Sequence, residues 1–275
     1  MIGLVVDSNS QVPPDLVERY GVEVVPLTVT VDGVDFAEGE DLDADRFWSM
    51  FDGTTPQVAT SQPSAGRFAA AYRAVAGRGA DEILSVHLGS EVSGTVNAAS
   101  LAARSAPVPV RVVDTGTASF AVACCLWEAA EAVAAGATVD EAATVAEAVA
   151  ATIGNVFVVG ALDLARAGGR LAPGATAAAV PVLSLAGGAM EVVAQVGGTG
   201  EAADVMAAAV SAAGGPLRVG VGTADPASEP LGRALADRLA AAPGVVDLVR
   251  YRVGPSVGAH TGPGTVGAVW YPVIR

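Results

Sequence analysis

Lysine does not occur in this chain of 275 residues, so its 15 basic side chains are all arginines. That absence excludes Schiff-base chemistry and Walker-type phosphate loops, because both depend on a lysine amine. Positive charge is scarce altogether: 29 acidic residues leave a formal net charge of -14. A surface this acidic repels phosphate backbones and anionic headgroups, which argues against nucleic acid as a partner. Cysteine is confined to the neighbours Cys124 and Cys125. They cannot staple distant segments and lack the spacing of a metal-ligand pair, so a reduced, cytoplasmic chain without a metal site is expected. The opening Met1-Ile2-Gly3-Leu4-Val5-Val6-Asp7 has no basic region before its apolar stretch, and a signal peptide is not expected. Leu171 to Met190 is free of charge, but it is rich in glycine and alanine and broken by Pro173 and Pro181. It reads as buried backbone rather than a membrane span.

What is present is small and aliphatic: 52% of residues are hydrophobic and only 5% aromatic. Short Val/Ile/Leu runs alternate with longer Ala-rich stretches, the signature of an α/β fold with a largely parallel sheet. Strands are predicted at Ile2 to Asp7, Val22 to Val31, Glu82 to Leu88 and Val110 to Asp114. Helices are predicted at Pro13 to Tyr20, Asp43 to Phe51, Ala65 to Arg78, Gly94 to Arg104 and Ser119 to Ala135. After a helix near Asp140 to Thr152 and a strand at Val156 to Val159, glycine pairs and a hairpin-like Val182 to Val196 open a second α/β unit. The expected division is residues 1–153 and residues 154–275, the second with a mixed sheet.

Several segments could carry chemistry. Thr60-Ser61-Gln62-Pro63-Ser64 leads from a Pro-containing loop into an Ala-rich helix, with Ser64 as its N-cap; the turn is either a cap alone or an anion holder. Gly89-Ser90-Glu91-Val92-Ser93-Gly94-Thr95 is likewise a strand end entering a helix with several hydroxyls. In a parallel sheet such ends gather on one edge, where two of them make a cradle for a carboxylate or phosphate. His87 sits in an apolar strand and reads as packed, whereas His260, framed by Gly258, Gly262 and Gly264, is reachable by a ligand to which it can donate a hydrogen bond. Arg170, after Gly168-Gly169, is either a surface charge or a fork aimed at an anion. A Ser93–His260–Asp114 hydrolase triad is a weaker reading, since Ser93 lacks the glycine two residues before it that a nucleophile elbow needs. Asp41, Asp43 and Asp45 imitate a calcium loop without its glycine, and are expected to charge a helix start. Gly220-Val221-Gly222-Thr223-Ala224-Asp225 imitates a dinucleotide fingerprint but has Asp225 in place of its third glycine.

Taken in order, Val6-Asp7-Ser8, Val25-Pro26-Leu27, Thr60-Ser61-Gln62-Pro63-Ser64, Ser93-Gly94-Thr95, Gly168-Gly169-Arg170 and Gly258-Ala259-His260-Thr261-Gly262-Pro263-Gly264 resemble the DegV family over nearly the whole chain. These are fatty-acid-binding proteins that serve as the B subunit of bacterial fatty acid kinase. The resemblance implies two α/β domains with a long-chain fatty acid between them as ligand, no other cofactor, and no catalysis by this chain alone. Thr60, Ser61, Ser93, Gly94, Thr95 and His260 match the carboxylate-binding end. Arg170 matches an arginine that contacts the partner, a separate ATP-dependent kinase, or the phosphate it transfers. Where family members usually carry a basic stretch after the hairpin, this chain reads Gln195-Val196-Gly197-Gly198-Thr199-Gly200-Glu201. The alternatives are a stand-alone serine hydrolase of acyl esters and a binder of another small carboxylic acid or phosphate.

Overall fold

Strand β1 (Ile2–Asp7) is apolar on both faces because it lies inside a parallel sheet covered on both sides. A computed structural model of the chain describes residues 1–160 and 180–273. β1 pairs with β2 (Glu23–Val25) and β6 (Glu82–His87), and β6 with β7 (Val110–Asp114), giving the all-parallel order β2-β1-β6-β7. Side chains alternate between the faces: Val5 and Ile83 meet helices α3 (Ala65–Gly77) and α4 (Thr95–Ala103), which follow the small sheet described below. Leu4, Val6, Leu84 and Val86 meet α5 (Phe120–Ala134) and α6 (Val139–Thr152) on the other face. Helix α1 (Pro14–Tyr20) starts at a proline, whose missing N–H is no loss in a first turn, and stops at Gly21, with φ of 62°.

The second half supplies a mixed sheet ordered β10-β9-β8-β13-β11-β12. Its strands are β8 (Gly154–Val158), β9 (Val180–Ala186), β10 (Ala189–Val196), β11 (Leu217–Thr223), β12 (Val245–Arg252) and β13 (Val266–Pro272). Helices α7 (Thr199–Ala212) and α8 (Glu229–Ala240) cover one face through Met206, Val210, Leu235 and Leu239, packed on Val219, Val221 and Ala268. The opposite face meets α5. There Gly220 and Gly222 lie under aromatic rings: a Cβ on Gly220 would sit 2.4 Å from Phe120, and one on Gly222 2.4 Å from Tyr251. Those rings stack with centroids 4.4 Å apart. The apparent dinucleotide fingerprint is thus a strand alternation, valines toward the helices and glycines beneath rings.

A third, antiparallel sheet, β4-β3-β5, was not expected. The single strand predicted over Val22 to Val31 is divided at Pro26, which cannot donate to a ladder. Its first part is β2; its second is β3 (Thr28–Val31), paired with β4 (Val34–Ala37) through a turn at Asp32 and Gly33 with φ of 48° and 82°. β5 (Val58–Ser61), expected as loop, pairs with β3. Together with α2 (Ala44–Ser49) this sheet packs Val29, Phe47 and Trp48 against Val253, and the Trp48 indole N–H donates to the Val253 carbonyl at 2.9 Å. Asp43 caps α2, Asp45 pairs with Arg252 at 2.7 Å and the Asp41 carboxylate accepts the Ala37 N–H at 2.6 Å, so all three alternating acids do structural work.

Helix α5 joins the two halves. Glu128 on it accepts from the Tyr271 hydroxyl at 2.9 Å and pairs with Arg218, whose guanidinium lies over Trp127. Cys124 and Cys125 are buried in the same helix; burial pushes the Cys125 thiol up to about 12 and Cys124 well above its ordinary value. Neither thiol is expected to react with a disulfide reagent at about pH 8 until the protein unfolds, since the thiolate is the reactive form; rapid native labelling would show α5 open to solvent. Gly220→Val drives a side chain into Phe120 and is expected to lower stability by about 1–3 kcal/mol in urea unfolding.

Candidate functional site

The carboxyl ends of the parallel strands open onto a cavity of about 560 Å³, where ligands of such sheets bind. Asn9 follows β1, Leu88 follows β6, and Thr117 to Ser119 follow β7; all line it. Thr60 and Ser61 on β5 form a further wall, and the facing mixed sheet adds Val156, Phe157, Leu185, Met190 and Val269. The last wall is α9 (Pro255–Thr261), a helix in the segment expected only as a glycine-framed bend. His260 sits in its final turn.

The expected hydroxyls converge here. Thr60 Oγ1 lies 2.9 Å from His260 Nε2, although the two are 200 residues apart. Ser93 and Gly94 line the same cavity. The Thr95 hydroxyl lies 2.8 Å from that of Ser93, and Thr95 is itself buried and does not line the cavity, so it orients Ser93. A Cβ at Gly94 would fall 1.7 Å from the Gln62 amide, which explains a glycine where that side chain crosses the start of α4. Ser64 caps α3 as expected, accepting from the Arg67 N–H at 3.3 Å. Gly168, Gly169 and Arg170 lie outside the described residues.

The hydrolase triad is not assembled. His260 Nε2 faces Thr60, Ser93 faces Thr95, and the Asp114 carboxylate accepts the backbone N–H groups of Ser90 at 3.1 Å and Gly116 at 3.0 Å. Among the described residues no cluster of three or more His, Cys, Asp or Glu side chains could hold a metal ion.

A buried polar network that sequence reasoning missed holds the site together. Asp7, at the end of β1, accepts the N–H groups of Asn9 and Leu88, each at 3.1 Å, and lies 2.9 Å from His87 Nδ1. His87 Nε2 meets the Ser85 hydroxyl at 2.7 Å, so this histidine is packed, as its apolar strand suggested. The Asn9 side chain donates to Ser256 in α9 and accepts from the Ser119 N–H at 2.8 Å. The Glu38 carboxylate accepts the Ser256 N–H at 2.7 Å and the Ser8 hydroxyl at 2.5 Å. Glu38 therefore caps α9 from 218 residues away. Burial raises its pKa, against the lowering effect of the bonds from Ser8 and Ser256. The one sequence signal was Val6-Asp7-Ser8, quoted for the resemblance without a role.

A parallel sheet whose strand ends open onto a cavity walled by a second, mixed sheet and a short helix defines a two-part α/β protein built around an internal ligand site. The family model that matches residues 1–273 is that of DegV, described as an uncharacterised protein family, and the chain belongs to the DegV family. It is 42% identical over 279 residues to a DegV domain-containing protein of Streptomyces coelicolor, covering 98% of this chain and 97% of that one. A Mycobacterium tuberculosis relative is 34% identical over 278 residues, covering 96% and 95%. Among solved structures, a DegV family protein from Thermus thermophilus, described for its fatty acid binding, superposes with a TM-score of 0.91 at 31% identity, covering 99% of each chain. A DegV lipid-binding protein from Thermotoga maritima does so with a TM-score of 0.90 at 28% identity, covering 100% of this chain and 99% of that one.

The buried acid gives a pH dependence. A folded-state pKa raised above the unfolded value contributes stability that is complete below the unfolded carboxylate range, near pH 4, and is lost as pH rises through the folded value. Glu38→Gln removes that titration, so the variant is expected to gain stability relative to wild type as pH rises from about 4 to 7 in urea unfolding. A pH-independent difference would show that the folded-state pKa of Glu38 is not raised.

Proposed function

We propose that this protein binds one long-chain fatty acid in the cavity, with its carboxylate at the Thr60–Ser93–His260 end. The observation that carries the reading is a single void of about 560 Å³ with clustered hydroxyls and an imidazole on one part of its wall and Val156, Phe157, Leu185 and Met190 on another. Thr60, Ser61 and Ser93 donate O–H groups, Gly94 contributes backbone at the start of α4, His260 donates from its ring, and Thr95 orients Ser93. Hydrogen bonds to the ionised form offset the tendency of burial to raise a carboxylate pKa. The acyl chain supplies most of the affinity, about 0.8 kcal/mol for each buried methylene. A cavity of this volume lies in the range that encloses most of a drug-sized ligand, which favours a long acid over a small one.

The protein then presents the carboxylate to a separate ATP-dependent kinase. A carboxylate oxygen attacks the γ-phosphorus of ATP, the bond to ADP breaks, and an acyl phosphate forms. A chain without lysine has no Walker loop, which supports leaving the nucleotide to the partner. Arg170 is assigned to that contact or to the incoming phosphate.

Native mass spectrometry of the purified protein, followed by extraction, is expected to release a stoichiometric fatty acid. Removing one hydrogen bond to the charged group weakens binding by about 1–3 kcal/mol, so the double substitution Thr60→Ala with Ser93→Ala is expected to emerge largely empty. Undiminished binding by the double variant would move the carboxylate elsewhere.

A further inference from the structure

The cavity has a second group of polar side chains for which a plain hydrocarbon tail has no use. Thr117 lines it and is only 6% exposed, yet its hydroxyl has no hydrogen-bond partner among the described residues. Two residues on, Ser119 also lines the cavity and holds φ of 63° and ψ of -150°, a region that strains any side chain other than glycine's. Its N–H is taken by Asn9, and its hydroxyl meets that of Tyr251 on β12, whose pKa burial pushes up. These residues precede the first turn of α5, a helix of 15 residues.

Ordinary packing does not account for this group. The Thr117 oxygen is open to the cavity, where an atom of a bound molecule can reach it, and a strained backbone persists where its surroundings enforce it, most often at ligand sites. The group is contiguous with the carboxylate end: the Thr117 carbonyl accepts the Gly89 N–H at 2.7 Å, and the Gly89 carbonyl accepts that of Ser93 at 3.1 Å. Only Gly89 separates the Thr117 backbone from that of Ser93, which puts this part of the wall beside the carboxylate end.

We infer that the preferred ligand is an acyl chain oxygenated near its carboxyl end, a hydroxy or oxo fatty acid whose extra oxygen bonds Thr117 in the pocket shared with Ser119 and Tyr251. This inference rests on the fatty-acid reading and deepens it. The Thr117 hydroxyl satisfies the substituent, Ser119 and Tyr251 form the polar wall behind it, and the unsubstituted chain beyond runs along the mixed sheet.

The test is competition binding of delipidated protein with palmitate, β-hydroxypalmitate and ω-hydroxypalmitate. Wild type is expected to favour the β-hydroxy acid over palmitate by about fivefold or more, the worth of one neutral hydrogen bond. The ω-hydroxy acid, with its oxygen at the far end, is expected to bind no better than palmitate. Thr117→Val, which keeps the shape without the hydroxyl, is expected to abolish the preference, bringing the ratio of the two affinities to about one. Equal binding of palmitate and the β-hydroxy acid by wild type overturns the inference and leaves the fatty-acid reading standing, the Thr117 hydroxyl then serving an ordered water. Failure of all three acids to bind overturns both. The wild-type ratio decides the matter even if the variant does not fold.

Discussion

Everything at the site hangs from the carboxylate of Asp7. A buried carboxylate is tolerable only when its oxygens are occupied, and this one takes two backbone N–H groups and faces a histidine ring. Those bonds fix how the chain leaves β1 and β6, the two central strands of the parallel sheet. Through Asn9 the order passes to Ser256 and so to α9, and through the Ser119 N–H to the start of α5. Ser8 extends it to Glu38, which caps the helix carrying His260. The histidine and Thr60 thus meet by way of a hydrogen-bonded spine rooted in the first strand.

Such a spine suits a site whose parts come from three sheets. Small residues bring the halves together where bulk would separate them: Gly220 and Gly222 admit the Phe120–Tyr251 stack, and the largely buried α5 fills the space between sheets. Glu128, held by Arg218 and Tyr271, adds a directional lock to that apolar contact. Packing alone would tolerate sliding of one sheet past the other; a shared carboxylate oxygen would not.

Much of this was legible in the sequence because it is local. The parallel strands announce themselves as short apolar runs, Ser64 caps its own helix, and Ser93 lies just after a strand. The parts that escaped are non-local. Helix α9 is only seven residues long, has no side-chain cap of its own and carries Gly258 in its interior; it exists because Glu38 and Gln11 satisfy the N–H groups at its start. Likewise β3 and β5 are each four residues long, and only their mutual pairing distinguishes Thr60 on a strand from Thr60 on a loop. Asp225 argues against a fingerprint at Gly220 and Gly222, but the reason for the two glycines was not legible, since the rings that require them stand far off in sequence.

The absence of lysine returns at the proposed carboxylate end with a chemical consequence. Around Thr60, Ser93 and His260 the described cavity wall offers hydroxyls, backbone and an imidazole, with no arginine among its lining residues. A guanidinium clamp would hold a carboxylate by a bidentate ion pair and draw charge from its oxygens. Neutral donors hold it more lightly and leave the oxygen more nucleophilic, while the tail carries the affinity through area that is indifferent to chemistry at the head. In the proposed reaction these two requirements, tight retention and a reactive carboxylate, would conflict if one contact had to meet both. Dividing them between an apolar wall and a neutral cradle removes the conflict, and under that proposal the positive charge that a transferred phosphate needs is left to the proposed kinase and to Arg170.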